Sequence, residues 1–459
     1  MSVMQRSDGM QQMLKKRMIG AAFAAVTTFC TMVPDAVAQQ RQRFEYWYGL
    51  TGQLGEVMAD HCRRFNESQT RFEAVCVGQG GYDRAEQNTI AAYRARQHPT
   101  VVQIYDAGTV NFMLSGVTYN AVNFARDFNM RINWSDYFPG VASYYATSRG
   151  EMWSFPYNSS TAMLYWNRQA FASIGRTTAP TTWQELERDM RALKAAGHAC
   201  PMAIDFDAWQ FEQLSAIHNQ PIATRDNGYG GLNAELLINR GFLPMHITNM
   251  RRWLDEGLMR IQTAQTGKTI VQAFADSSCA LAITSIANHG VVSATQSEGM
   301  QWGVAMLPVY EGTSRTNSLV GGASLWVLQG KSRGEYEGAA AFLDWIATPA
   351  EVQWMPTVTG YIPITTPAFQ QMMAGGFYDQ ARYAGREISI QSLTFTPPTA
   401  NSRGIRLGNY TSIRSEIQSE LQAAFTGQKS VQQALDDATA RGNQILRRFE
   451  QTMRGRELP

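Results

Sequence analysis

The chain has 459 residues, with 40 Lys and Arg against 38 Asp and Glu, 11% aromatic side chains and five cysteines. Charges that nearly balance, with no concentrated basic tract, exclude the electrostatic footprint of a nucleic-acid binder. Setting aside the leader described next leaves about 420 residues, too many for one compact core and suited to two lobes.

Residues 1–38 have the three-part layout of a secretory signal: basic residues at Lys15, Lys16 and Arg17, an apolar run from Met18 to Val33, and small residues at Ala36 and Ala38. Cleavage is expected after Ala38. The apolar run falls short of the roughly 20 residues that span a bilayer, and no later run approaches that length, so the mature chain is expected to be exported and soluble. Cys30 is not a lipid-anchor cysteine, because Thr-Met-Val follows it. Four cysteines remain, Cys62, Cys76, Cys200 and Cys279. In an oxidising compartment an even number reads as structural disulfides, and the absence of CxxC or of His at metal-ligand spacing, the adjacent His61 apart, argues against zinc. Three pairings are possible. Cys62 with Cys76 would staple a helix to the next strand and Cys200 with Cys279 would close a long loop, the arrangement preferred by elimination.

From Phe44 the chain alternates strand and helix: "FEYWYG", "LGEVMADHCRRFNES", "RFEAVCVG", "AEQNTIAAYRAR", "TVVQIYDAG". This is the opening of an α/β domain with a mostly parallel sheet. Ligands lie at the C-terminal ends of such strands, which places "WYGLTG", "GQGGY" and "YDAG" where they can line a cleft. A second lobe begins near "FPYNSSTAMLYWN". Thr182 with Glu185 then opens a helix that carries Trp183, Leu186, Met190 and Leu193 on one face. "WGVAMLPVYEG" and "GASLWVLQG" read as strands again. The chain closes on two helices, one with Ile413, Ile417, Leu421 and Phe425, the other opening at Ser430 and Gln433 after a break at Gly427 and carrying Leu435, Ala438, Ile445, Leu446 and Phe449.

Catalytic chemistry is not written in this pattern. The six histidines are scattered, with no HExxH, no paired-His spacing and no GxSxG elbow. "GQGGYD" has neither a Walker lysine nor a complete GxGxxG, and Asp436 with Asp437 reads as a solvated helix face. The expectation is a binding protein, not an enzyme, with no metal and no cofactor. What remains is a set of short segments where an aromatic, a hydroxyl, a charge or a glycine interrupts a regular element: Trp47, Tyr82, Asp106, Ser159, Ser160, Trp209, Ser285, Gly321, Gly322, Tyr361, Arg406 and Arg414. Aromatic faces with hydrogen-bonding tips suit a small hydroxylated ligand, and glycine pairs let backbone N–H groups approach an anion. Trp47 and Trp326 read as core.

The stretches "FPYNSSTAMLYWN", "VGGASLWVLQGKS", "TGYIPIT", "RGIRLGNY" and "QQALDDATARGNQILRRFE" resemble the periplasmic sn-glycerol-3-phosphate-binding proteins of ABC transporters, within the extracellular solute-binding proteins of family 1. The likeness runs from about Phe44 to Glu450. It implies an α/β, type II periplasmic-binding-protein fold, with two α/β lobes, a hinge and an interlobe ligand cleft. The lobes are expected as 39–150 and 301–350 for the first, and 151–300 and 351–459, with the C-terminal helices, for the second. Carried over, the family's ligand contacts fall on Tyr82, Asp106, Ser160, Ser285, Gly322, Tyr361 and Arg414, with Arg414 as a phosphate clamp and Tyr82 and Asp106 gripping the glycerol end. A local alternative pairs Arg414 with Glu416 or Glu420 on its own helix. The family usually has Glu where this chain has Asp106. Near "DFDAWQFEQ" it has two tryptophans where this chain has Trp209 and Phe206, a less confining wall that admits a substituent on the phosphate. The resemblance thus implies a monomeric periplasmic component of an ABC importer that binds sn-glycerol 3-phosphate or glycerophosphodiesters such as glycerophosphocholine and delivers them to permease subunits in the inner membrane. The alternative in the same class is a receptor for a neutral sugar or oligosaccharide, while a periplasmic phosphodiesterase is disfavoured by the missing metal ligands and nucleophile.

Overall fold

Residues 41–459 are the part of the chain described by the computed structural model; the expected leader over 1–38 and its cleavage point lie outside the described residues. Among these residues eleven strands form two sheets. The first is built from β1 (Gln42–Tyr48), β2 (Phe72–Gly78), β3 (Val101–Tyr105), β4 (Thr118–Tyr119), β5 (Phe155–Ser160) and β11 (Gly321–Leu328), in the order β2-β1-β3-β11-β4 with β5 also paired to β11. The second is built from β6 (Ala162–Asn167), β7 (Met202–Ile204), β8 (Met259–Ile261), β9 (Leu281–Ser285) and β10 (Trp302–Ala305), in the order β10-β6-β9-β7-β8. In the first sheet β1 is parallel to β2 and β3, and in the second β7 is parallel to β8 and β9, as helical crossovers require, while β6 is antiparallel to β9. The late strands β11 and β10 run antiparallel to their neighbours.

The expected elements fold for the reasons their patterns carry. β1 turns Phe44 and Tyr46 inward at period two, and all six residues of β6 are buried because helices cover both faces of its sheet. The helix Gly52–Ser68 buries Gly55, Met58, Cys62 and Phe65 along one stripe. At the helix Trp183–Ala195 the Thr182 hydroxyl accepts from the Glu185 N–H at 3.1 Å. The Glu185 carboxylate does not reach back to Thr182; it takes the N–H and hydroxyl of Thr181, both at 2.8 Å, so the reciprocal half of the box is displaced by one residue. Trp183, Leu186, Met190 and Leu193 are buried, as are Ile413, Ile417, Leu421 and Phe425 of the helix Tyr410–Phe425, and these two sets share the core of the second lobe. The chain turns at Gly427, where φ is +77°, before Ser430 caps the helix Val431–Thr452.

Among the described residues two disulfides form, Cys62–Cys76 and Cys200–Cys279. The first ties the helix Gly52–Ser68 to β2, and the second ties the residues entering β7 to those entering β9, its sheet neighbour.

The chain crosses between the sheets at single-strand connections. β5 ends at Ser160 and β6 begins at Ala162, so Thr161 alone makes the first passage; the return lies between β10 and β11. Gln213, fully buried, holds the two together: its Nε2–H donates to the Leu319 carbonyl at 2.9 Å and its Oε1 accepts from the Leu319 N–H at 3.0 Å. The Thr161 hydroxyl lies 2.9 Å from the same carbonyl. A third segment runs alongside, with the Ile362 N–H donating to Ser159 and the Gly360 N–H to Ala287.

Candidate functional site

Where β3, β5 and β9 end and β11 begins, at the boundary of the two sheets, lies a cavity of about 320 Å³. From the first lobe it is lined by Tyr82, Tyr105 and Asp106, and from the second by Asp205, Asp207, Trp209 and Ser285. Ser160, Gly322 and Tyr361 come from the crossing segments, and Arg414 from the helix Tyr410–Phe425. The seven contacts carried over from the resemblance therefore meet at one place together with Trp209, while Phe206 does not join them.

Each is set there by local structure. Tyr82 begins the helix Tyr82–Arg94, and its ring stacks on Tyr105 at 5.2 Å with 7° between planes. Its hydroxyl accepts from Asn158 Nδ2 at 2.8 Å; Asn158 Oδ1 accepts from Gln103, and Gln103 from the Gly49 N–H, a buried relay that fixes the phenol. Gly49 must be glycine, since a Cβ there would sit 2.8 Å from the Tyr82 Cα. Burial raises the Tyr82 phenol well above its ordinary value, so it stays protonated and can donate. Ser160 and Ser285 face each other across the crossing, the Ser285 hydroxyl donating to Ser160 at 2.9 Å while accepting from the Ala287 N–H at 3.1 Å. Gly322 adopts φ +97° with its Cα side pressed on the Asn158 carbonyl, where a Cβ would stand at 1.9 Å. Its neighbour Gly321 is covered by the Trp209 indole, which a Cβ would meet at 2.3 Å.

Among the described residues Arg414 is the only basic one lining the cavity, and it is already matched twice. Its Nη1 and Nη2 donate to both oxygens of Asp106, at 3.1 and 2.6 Å, and its Nε and Nη2 donate to both oxygens of Glu212, at 2.7 and 2.6 Å. Asp106 is 4% and Glu212 3% exposed, so the triad is withdrawn from solvent. Burial acts to lower the Arg414 pKa, but Asp106 and Glu212 hold it well above its ordinary value. Burial raises Glu212, against the pull of Arg414 and of a 2.8 Å hydrogen bond from the Tyr410 hydroxyl. The expected local pairing of Arg414 does not form: Glu416 bonds to Arg441, and Glu420 to Lys429 and Arg441. Asp106, expected to face the glycerol end, lines the cavity and also bridges from the first lobe to the helix of Arg414.

Phe206 is the correction. It does not line the cavity but is buried against Phe425, with ring centroids 6.3 Å apart, in the core beneath the second sheet. Side chains on the extended stretch after β7 alternate, so the carboxylates of Asp205 and Asp207 point to the cavity and Phe206 between them points inward. Those two carboxylates and Glu212 were missed by sequence reasoning, although "DFDAWQFEQ" carries all three. Trp47, Trp326 and Arg406 lie outside the cavity lining; Trp326 is core, and Arg406 donates to the Tyr144 and Ala146 carbonyls.

Two connected α/β lobes with a polar, aromatic cavity between them define a receptor of the solute-binding class, and the chain belongs to that family: the model of the bacterial extracellular solute-binding proteins matches residues 61–375. The chain is 35% identical to the sn-glycerol-3-phosphate-binding periplasmic protein UgpB of Yersinia pseudotuberculosis, over 92% of this chain and 96% of the relative. It is 34% identical to UgpB of Salmonella typhimurium, over 88% and 92%. Among solved structures it resembles UgpB from Mycobacterium tuberculosis in complex with glycerophosphocholine, with a TM-score of 0.71 at 18% identity over 88% of this chain and 98% of that one. It also resembles the sugar-binding protein MalE from Xanthomonas citri, with a TM-score of 0.68 at 15% identity over 90% and 100%. Among the described residues no helix is long and apolar enough to cross a membrane.

Proposed function

We propose that this chain is the substrate-binding component of an ABC importer, exported by the leader over 1–38 with cleavage after Ala38, working in the periplasm as a monomer. It takes sn-glycerol 3-phosphate or a glycerophosphodiester between its lobes and delivers it to permease subunits in the inner membrane. The observation that carries this reading is the convergence of Tyr82, Asp106, Ser160, Trp209, Ser285, Gly322, Tyr361 and Arg414 on one interlobe cavity, in a chain 35% identical along most of its length to glycerol-3-phosphate-binding proteins. In this reading the lobes join at Thr161 and within residues 306–320, a division supported by the passage of the chain from one sheet to the other at those points.

In this reading the ester oxygens are met by the Ser160 and Ser285 hydroxyls, by the Tyr361 hydroxyl and by Arg414, which exchanges its Asp106 pair for the phosphate. Asp106, released, accepts from the glycerol hydroxyls. The Tyr82 and Tyr105 rings cover the glycerol carbons. The chemistry is binding without turnover, and closing the lobes around the ligand is the signal the permease reads. Titration calorimetry on the mature chain with glycerol 3-phosphate, glycerophosphocholine and maltose tests it. Saturable heat is expected with a glycerophosphate ester and none with maltose, and Tyr82→Ala should weaken the ester about tenfold through lost ring contact. Heat with maltose alone would replace the reading by a sugar receptor.

A further inference from the structure

Two carboxylates of the cavity have no task in the binding scheme above. Asp205 and Asp207 both line it, and among the described residues neither has a basic side chain within ion-pair distance. Asp205 Oδ1 accepts from the Asp207 N–H at 3.1 Å and from Gln210 Nε2 at 2.8 Å, while Asp207 Oδ1 caps the helix Ala208–Ile217 by accepting from the Trp209 N–H at 3.0 Å. Among the described residues no hydrogen bond reaches Oδ2 of either residue. Capping accounts for one oxygen of Asp207 and would be served equally by Asn or Ser. It does not account for a second acid two residues away on the same side of the chain.

The charge census sharpens the point. Asp106 and Glu212 already satisfy the guanidinium of Arg414, and Asp205 and Asp207 add two further carboxylates to the lining of the same cavity. Burial, and then the charge of Asp207, push Asp205 up to about 7, the response of an acid pair without a counter-ion. A phosphate monoester would carry two more negative charges into this space. A diester whose second alcohol bears a cation adds no net charge and brings the missing counter-ion. The indole fits the same group: Trp209 lines the same cavity as the two acids and packs against Gly321, and an indole face beside a carboxylate pair is a surface that holds a quaternary or primary ammonium.

We propose that Asp205, Asp207 and Trp209 form a cation subsite that makes the receptor select glycerophosphodiesters with a cationic head group, choline or ethanolamine, over neutral-headed diesters and over the monoester. This rests on the glycerophosphate reading of the cavity. The acids lie on the second lobe, so a head group held there tethers the ligand to the lobe that also carries Ser285, with the glycerol end facing Tyr82 and Tyr105 of the first.

The test compares glycerophosphocholine, glycerophosphoglycerol and glycerol 3-phosphate by calorimetry on the wild-type mature chain and on the variant Asp205→Asn, Asp207→Asn. Both substitutions keep the oxygens that accept from Gln210 and cap the helix, so the fold is retained, and a melting curve checks it. The wild type is expected to prefer the choline diester over the glycerol diester at least about tenfold, and the double variant to reduce that ratio about tenfold. Trp209→Leu should reduce it in the same direction. A wild-type ratio near one, or a ratio that the double variant does not move, overturns the proposal while leaving the glycerophosphate reading in place. Absence of binding by all three esters overturns that reading, and this proposal with it.

Discussion

Replacing Arg414 by Met keeps most of the side-chain volume and removes the charge, leaving Asp106 and Glu212 buried, 4% and 3% exposed, with their common partner gone. Breaking a buried ion pair from one side costs about 3–5 kcal/mol, because the remaining charge has lost both water and counter-ion. Two acids can escape that penalty only by taking up protons. In the variant the folded-state pKa of Glu212, which burial already raises, therefore rises further above its unfolded value of about 4.3, by an amount worth about 1.4 kcal/mol per unit. A carboxyl whose folded pKa is raised contributes fully below its unfolded pKa and loses that contribution as pH climbs to the folded pKa. The stability difference between wild type and Arg414→Met should thus be about 1 kcal/mol near pH 4.5 and about 3–5 kcal/mol at pH 8. Urea denaturation of the ligand-free mature protein at the two pH values measures it. Adding Asp106→Asn and Glu212→Gln to the variant should restore most of the loss at pH 8, since no buried charge then remains. A difference that does not change with pH, or a triple variant no better than the single one, would refute the argument that the guanidinium is the counter-ion of both acids.

The two disulfides close loops of different length, with sequence separations of 14 and 79. On the chain-entropy account, paired Cys→Ser substitution should cost about 3 kcal/mol for Cys62–Cys76 and about 4.5 kcal/mol for Cys200–Cys279, an order that denaturation midpoints of the two variants will show. Acid should also destabilise the receptor through buried imidazoles. Burial is the main cause that holds His218 down to about 4 and His246 and His289 down to about 3. A histidine with a lowered folded pKa stabilises fully above its unfolded value of about 6.5 and loses that contribution as pH falls toward the folded pKa. Each should therefore cost about 2 kcal/mol at pH 5 relative to pH 7.5. Melting curves across that range check the slope, and His246→Phe should flatten it by about one histidine's share.

How far the sequence could be read follows from which contacts are local. Helix faces and caps are near-neighbour relations, so Ile413, Ile417, Leu421 and Phe425, or Ser430 with Gln433, announce themselves at fixed spacing. The three-residue strands Met202–Ile204 and Met259–Ile261 do not: they are too short to show a period and become strands only because β9 offers an edge to the first and the first offers its other edge to the second. The Arg414 triad is the extreme case. Its partners lie 308 and 202 residues away, and nothing in the spacing of Asp106, Glu212 and Arg414 relates them.

The acid pair of the cavity was hidden for a different reason, since it is wholly local. An aspartate before a helix is the ordinary N-cap, and Asp207 fills that role, so its presence raises no question on a first reading. The aromatic residues of the same stretch, Phe206 and Trp209, attract notice instead, and strand alternation then sends Phe206 to the core. What distinguishes Asp207 from a plain cap is its setting: a free second oxygen, a second acid at Asp205, and a cavity whose single arginine is already taken. Only when the sheets are assembled does the surplus of negative charge exist as a property of one place, and it is that surplus, rather than any one residue, that points to the charge the ligand must bring.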